Sequence, residues 1–259
     1  MTIVPNLALS PRIVDHHSSH ARPWAGWLLC QISFVMIVLS CPVMAGNASE
    51  TTLAQATQTI SKSMNSDWSL GSPTARVSLI EYGSLTCGHC AQLNNEVLPS
   101  IKANYIDTGR LRYVFRPFPT APMPLSLALH ALTRCSGPRA YYKLADAFFR
   151  RQNEIFAAAQ GETGAKATVF AISEDFGGLS FAQSEACLKD EAVKKWIMVH
   201  VEQGQEIGLT GTPTLFLESA KGRTKLDFPY DVATLSTAID RALLAIGTSS
   251  AKPIKGKKR

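Results

Sequence analysis

The sequence predicts an α/β fold in which a strand-helix-strand first half is separated from a strand-containing second half by an all-helical insert. Three observations predict it. A β-branched apolar run at residues 77–82 is followed by an apolar period of four and then by a second apolar run at 111–115. Residues 125–207 are alanine-rich and read as helix throughout. Past Gly211-Thr212-Pro213, strand character returns at residues 214–218.

Taken in order, Val77 to Tyr82 suits a buried strand, and Gly83-Ser84 breaks it. A helix should follow from about Cys87, where Leu93, Val97, Ile101 and Tyr105 recur every four residues and mark one buried face. Pro99 falls inside that helix and should kink it. Asp107-Thr108-Gly109 ends the element, Leu111 to Phe115 reads as the second strand, and Pro117, Pro119, Pro122 and Pro124 then argue against regular structure. Four or five helices are expected in the insert, with ends at Ser136-Gly137-Pro138 and Gly177-Gly178 and a capping-box spacing at Ser180 and Gln183. Thr214 to Glu218 reads as a strand, Lys221-Gly222 as a turn, and Arg223 to Asp227 as a weak edge strand. A last helix should start on Asp231 as its cap and bury Leu235, Ile239 and Leu243.

The expected organisation is a signal peptide at 1–45, a linker at 46–68, the first half of the α/β domain at 69–124, the helical insert at 125–207, the second half at 208–247 and a basic disordered tail at 248–259. The linker is rich in Ser, Thr, Ala and Gln, and the body should begin near Pro73. With 259 residues, 46% of them hydrophobic, the chain can bury the core of one large domain or of a domain carrying an insert.

The formal charge of +6 comes from the ends. Lys252, Lys255, Lys257, Lys258 and Arg259 close the chain, and Arg12 and Arg22 precede an apolar run. The body is about neutral, so no nucleic-acid footprint is expected. The apolar stretch from Trp24 to Leu39 and the small-residue site Val43-Met44-Ala45 have the layout of an export signal, with cleavage expected after Ala45. Two other fates fit the same residues: an uncleaved membrane anchor, or a lipoprotein acylated at Cys41 in Val38-Leu39-Ser40-Cys41. All three place the body outside the cytoplasm. Removal of the leader takes Cys30 and Cys41 and leaves Cys87, Cys90, Cys135 and Cys187, an even number that favours disulfides in an exported chain.

The chemistry centres on Cys87-Gly88-His89-Cys90, set between a strand and a helix. Two intervening residues put the sulfurs within disulfide reach across one helical turn, in a small ring that opens easily. The unpaired N–H groups and the positive dipole end at the helix start should stabilise a Cys87 thiolate, and His89 adds a proton donor or a cation. Cys90, one turn in, should be buried and protonated. Half of a zinc site is the competing reading, but the other cysteines lie far apart and singly and no His-x-His cluster completes four ligands, so no metal is expected. A purely structural Cys87-Cys90 bond would constrain little unfolded-state entropy.

With this motif on the strand-to-helix turn and Gly211-Thr212-Pro213-Thr214 ahead of a late strand, residues 67–247 resemble the thioredoxin superfamily, and within it the DsbA-like thiol:disulfide oxidoreductases such as those of alphaproteobacteria. The resemblance implies a thioredoxin fold with an inserted all-helical domain. It implies that Pro213 follows a cis peptide bond beside the redox-active disulfide and that the backbone of Thr212 pairs with the substrate strand. Glu81, six residues before Cys87, corresponds to a buried acid that relays a proton to or from Cys90; a solvated strand-end glutamate is the other reading of the same residue. The family's buried lysine has no clear match, with Arg112 and Arg116 on the neighbouring strand as candidates. Gly88-His89 is also the dipeptide of protein disulfide isomerases, which allows a milder oxidising poise. Some of these relatives carry a second, non-catalytic bond, for which Cys135 and Cys187 are the candidates; two buried free thiols are the alternative.

The resemblance implies a periplasmic dithiol oxidase without a cofactor, acting on exported proteins with reduced cysteines and reoxidised by a membrane quinone-linked partner. A monomer is expected, because the segment between Ala45 and Trp68 is too short for the dimerisation domain of the family's isomerases. Two other functions fit these residues: a disulfide reductase or isomerase, and a membrane-tethered, non-catalytic client-binding protein.

Overall fold

The computed structural model describes residues 67–247. The signal peptide expected at 1–45, the linker as far as residue 66 and the basic tail at 248–259 lie outside the described residues. Five strands form one mixed sheet in the order β1-β3-β2-β4-β5: β1 (Ser69–Leu70), β2 (Val77–Gly83), β3 (Leu111–Pro117), β4 (Thr214–Ser219) and β5 (Gly222–Lys225). The central strand β2 runs parallel to β3 and antiparallel to β4, so Glu81 faces Phe115 on one side and Leu215 on the other. All seven residues of β2 are buried, which a continuous apolar run at the centre of a covered sheet requires.

From β2 the chain enters α1 (Gly88–Gln92), a π-helical turn (Leu93–Val97), α2 (Leu98–Ile101) and a second π-helical turn (Lys102–Ile106). Leu93, Val97, Ile101 and Tyr105 are all buried along this element. Pro99 sits in the first turn of α2. The wider π-helical turn before it accommodates a residue that has no N–H to donate and whose ring crowds the carbonyl four residues earlier.

The insert holds six helices among the described residues, where four or five were expected: α3 (Met123–Cys135), α4 (Gly137–Arg150), α5 (Gln152–Gln160), α6 (Lys166–Gly177), α7 (Phe181–Lys189) and α8 (Glu191–Glu206). The proline run yields to helix earlier than the sequence suggests. Pro122 is the extended N-cap of α3 and Pro124 lies in its first turn, where a missing N–H costs nothing. The break at Arg151 (φ −102°, ψ 18°) carries no glycine or proline to mark it. Asp190 opens α8 by accepting hydrogen bonds from the N–H groups of Ala192 and Val193. The capping box forms at α7, with Ser180 Oγ accepting from Gln183 N and Gln183 Oε1 accepting from Ser180 N. Helix α9 (Val232–Gly247) starts after Asp231, which accepts from Thr234 N. It buries Leu235, Ile239 and Ile246, while Leu243 is half-buried.

Asp67 and Trp68, read from sequence as the end of the linker, belong to the fold. Pairing of β1 with β3 draws them onto the sheet edge. The guanidinium of Arg134 lies 3.7 Å from the centroid of the Trp68 ring, and Tyr142 Oη donates to the Trp68 carbonyl at 2.7 Å. Asp67 pairs with Arg116 at 2.7 Å and lies 3.2 Å from Nε2 of His200 on α8. Burial pushes the Asp67 carboxyl up, but the hydrogen bonds of His200 and Arg116 outweigh it and hold the group down at about 2. Among the described residues no helix is long and apolar enough to cross a membrane.

Cys135, the last residue of α3, is bonded to Cys187 of α7 with a Cα–Cα distance of 6.1 Å. The bond closes a loop of 52 residues across the insert, which on the chain-entropy account stabilises by about 4 kcal/mol. Replacing both residues (C135A with C187A) should therefore lower the unfolding free energy by about this amount in urea titrations. A loss below about 1 kcal/mol would show that the bond adds little.

Candidate active site

The strand-to-helix turn is built on a buried serine. β2 ends at Gly83, where a Cβ would lie 2.5 Å from the Phe115 ring and 2.6 Å from Glu81 Oε1, so a larger residue would displace both. Ser84 Oγ then lies 3.0 Å from both Thr86 Oγ1 and Ser126 Oγ, and accepts from Thr120 N at 3.1 Å. Two residues of the insert hold the segment that follows. Gln152 Nε2 donates to the carbonyls of Leu85 and Cys87 at 3.0 and 3.3 Å, and His130 Nε2 accepts from Leu85 N at 3.4 Å. Burial pushes His130 down to about 3, which keeps its imidazole neutral and able to accept.

Cys87 is the extended N-cap of α1, and its carbonyl accepts from Ala91 N. The residue is half-exposed. In the thiol form Sγ donates to the Thr212 carbonyl at 3.3 Å. Its pKa falls from 9.0 to about 5, chiefly through the hydrogen bond from the Cys90 thiol. Burial opposes that shift, and the Thr212 side chain with the backbone N–H groups of Cys90 and His89 adds to it. Cys90 is 0% exposed, and Ser84 N points at its sulfur from 3.5 Å. Burial, then its hydrogen bond to Cys87, pushes the Cys90 thiol well above its ordinary range. The two sulfurs are thus opposite in character. One is accessible and ionised near neutrality; the other is buried and protonated.

Glu81 lies in the interior at 2% exposure, not in solvent. Tyr113 Oη donates to its Oε2 at 2.6 Å, and Oε1 has no hydrogen-bond partner among the described residues. Burial pushes the carboxyl up to about 7, against the pull of the Tyr113 hydrogen bond. Strand alternation explains why neither arginine meets it. Leu111, Tyr113 and Phe115 share the face of β3 that carries Glu81 on β2, whereas Arg112 and Arg116 point to the other face. There Arg112 donates to Ser78 Oγ, and Arg116 binds Asp67 and Tyr82 Oη.

The Thr212-Pro213 bond is cis, and this loop lies against Cys87. His89 is exposed, with its ring centroid 6.5 Å from that of Phe228, itself 72% exposed. These two residues, Leu93, Pro213 and Tyr230 line a cleft of about 210 Å³ next to the cysteine pair. Cys87, Cys90, His89, Glu81, Thr212 and Pro213 are therefore brought together, while Cys135 and Cys187 stand apart in the insert. No group of three or more His, Cys, Asp or Glu side chains able to hold a metal ion occurs among the described residues.

Sequence reasoning missed Tyr113, Ser84, His130 and Gln152. Tyr113 had a weak signal, a hydroxyl inside an otherwise apolar strand, which must find a partner when buried. Ser84 stands three residues before Cys87 and reads from sequence only as the break after the strand; His130 and Gln152 are supplied by distant segments, and nothing in their neighbourhood marks them.

A profile of the family described as Thioredoxin matches residues 63–241. A Rickettsia typhi protein named as a protein-disulfide oxidoreductase is 27% identical over 183 residues, covering 69% of this chain and 63% of that protein. A disulfide bond formation protein D of Bacillus anthracis is 24% identical over 179 residues, covering 68% and 77% respectively. The chain thus spans less than two thirds of the length of the Rickettsia protein. The crystal structure of Wolbachia pipientis alpha-DsbA1 superposes with a TM-score of 0.61 at 26% identity, over 71% of this chain and 94% of that one.

The low pKa of Cys87 links its ionisation to the stability of the reduced protein. Because its pKa is depressed in the folded protein, the thiolate contributes stability that is complete above about 9 and lost as pH falls through about 5. Ultraviolet thiolate absorbance of the reduced protein should titrate with a midpoint near 5, absent in Cys87→Ala. The reduced form should also lose stability relative to the oxidised form as pH is lowered across this window. A thiolate midpoint near 9 would contradict the assignment of the low-pKa sulfur.

Proposed function

The chain belongs to the thioredoxin family, and from that membership we propose that it is an exported thiol:disulfide oxidoreductase, a dithiol oxidase that donates a Cys87-Cys90 disulfide to the reduced cysteines of other exported proteins. The observation that carries this reading is the asymmetry of the two sulfurs, with Cys87 held near 5 at a helix N-cap and Cys90 buried beside Glu81.

In the oxidised protein a client thiolate attacks the accessible Cys87 sulfur. The Cys87-Cys90 bond breaks, its electron pair goes to Cys90 Sγ, and a mixed disulfide joins client and Cys87. Cys90 becomes protonated because burial penalises its thiolate. A second client thiolate then attacks the client sulfur of the mixed disulfide and expels Cys87, which leaves readily as a stabilised thiolate. The client gains a disulfide, the protein keeps two electrons and one proton, and the other proton goes to solvent. Thr212 and Pro213 line the approach to Cys87, where an extended client segment can pair with the loop backbone. His89 flanks the same approach.

A reduced form stabilised by a low-pKa sulfur is a weak reductant, which favours oxidation of the client. Reoxidation falls to a membrane quinone-linked partner, and the export-signal layout of residues 1–45 supports a periplasmic site of action. The disulfide between Cys135 and Cys187 stays outside the exchange.

Two measurements test this reading. Equilibration with glutathione should give a potential between about −270 mV, as for thioredoxin, and about −120 mV, as for DsbA, since a Cys87 value near 5 lies between theirs. A potential at or below about −270 mV would assign the chain to reductases instead. Cys87→Ala should abolish transfer to a reduced client peptide, and Cys90→Ala should accumulate client mixed disulfides at Cys87.

A further inference from the structure

We propose that Tyr113 is a positioning residue for this exchange: its phenol anchors Oε2 of Glu81 and so leaves Oε1 as the oxygen that passes a proton to Cys90 Sγ when that sulfur is expelled. The inference rests on the proposed exchange at Cys87 and Cys90 and assigns the element that orients its buried acid.

The geometry begins with the strands. Leu79 pairs with Tyr113 and Glu81 with Phe115, so the Tyr113 side chain reaches Glu81 diagonally across one sheet face. Tyr113 is 3% exposed, and a buried hydroxyl requires a partner. That partner is Glu81 Oε2, at 2.6 Å. With one oxygen held, rotation of the carboxyl is fixed. The other oxygen lies against Gly83, where the missing side chain leaves it room, and the carboxyl is close enough to Cys90 for its negative charge to raise that thiol.

The groups that face Glu81 come from each surrounding element: Tyr113 on β3, Tyr141 and Tyr142 on α4, Cys87 and Cys90 at α1, and Tyr230 in the loop before α9. None of them is a cation. An ionised Glu81 is therefore held by a phenol hydrogen bond and not by an opposite charge. A phenol donates without fixing the carboxyl in its ionised form, so Glu81 can hold its proton before exchange and keep a partner after losing it.

The client thiolate forms a bond to Cys87 Sγ, the Cys87-Cys90 bond breaks, and the Oε1–H proton of Glu81 moves to the Cys90 thiolate. Glu81 is left as a carboxylate accepting from Tyr113. A proton from solvent, released by the second client thiol, restores it.

Tyr113→Phe removes the hydroxyl and keeps the ring. Carboxyl-labelled protein followed by nuclear magnetic resonance, with Glu81→Gln identifying the signal, should show the Glu81 midpoint near 7 in the wild type. In Tyr113→Phe it should rise by about one pH unit or more, because the ionised carboxyl loses a charge-assisted hydrogen bond. The pH profile of single-turnover oxidation of a dithiol peptide should shift in the same direction. In a Glu81→Gln background, adding Tyr113→Phe should leave that profile where it was. An unchanged Glu81 midpoint in Tyr113→Phe, or an equal profile shift in the Glu81→Gln background, would overturn the inference. If the wild type failed to oxidise the peptide at all, the proposed function would fall, while the carboxyl titration would still decide the Tyr113–Glu81 link. Should Tyr113→Phe not fold, infrared difference spectra of the wild type across the Glu81 titration must show the phenol C–O band moving with the carboxyl. A static phenol band would sink the proposal.

Discussion

The site depends on one constraint: Cys90 and Glu81 share an interior where charge is expensive. A sulfur with no exposure cannot carry a thiolate without a large desolvation cost, so the negative charge of the reduced pair goes to Cys87. The thiol that stays protonated becomes a hydrogen-bond donor to its partner, the largest contribution to the low value at Cys87. Burial of one sulfur thus activates the other. The same burial raises the Glu81 carboxyl to about 7 beneath the pair. Moving Cys90 into solvent would bring the two sulfurs closer in character.

Keeping that interior dry is a task for the whole sheet. Every residue of β2 is buried, and α4 closes over the face carrying Glu81, with Tyr141 and Phe148 almost fully enclosed. The insert also reaches the turn directly. Gln152 and His130 satisfy backbone groups of Leu85 and Cys87 that would otherwise be costly to bury. The helical insert is therefore mechanically coupled to the position of the reactive sulfur, and not merely a lid on the α/β half.

How much of this was legible follows from how local each signal is. The Cys87-Cys90 spacing, the break after β2, the capping box at Ser180 and the cap at Asp231 are readable because each is satisfied within a few residues of itself. The break at Arg151 was invisible, since no residue there is a helix breaker and tertiary packing decides it. The extra helix start at Asp190 was available as a cap but gained no support from a glycine or proline nearby. Asp67 and Trp68 looked like linker because a two-residue strand is too short to show a period, and their partners Arg116, His200 and Arg134 lie far along the chain. Arg112 and Arg116 were weighed as partners for Glu81. Alternation along β3 sends them to the opposite face and Tyr113 inward, and that parity depends on a register the sequence does not contain.

Register also explains why the second half must return to this strand and no other. The antiparallel pairing of β2 with β4 sets Tyr82 opposite Thr214, which carries the cis Thr212-Pro213 bond to the end of the sheet where β2 gives way to Cys87. The Thr212 carbonyl then meets the Cys87 sulfur from the side that the helix leaves open. A slip of one residue between these strands would turn Leu215 and Leu217 away from the core and withdraw the loop from the sulfur together. The apolar pattern of β4 thus holds a polar contact that lies beyond its own end. The reactive turn is consequently fixed from three directions: by β2 below it, by Gln152 and His130 of the insert, and by the strand pairing that brings in Pro213.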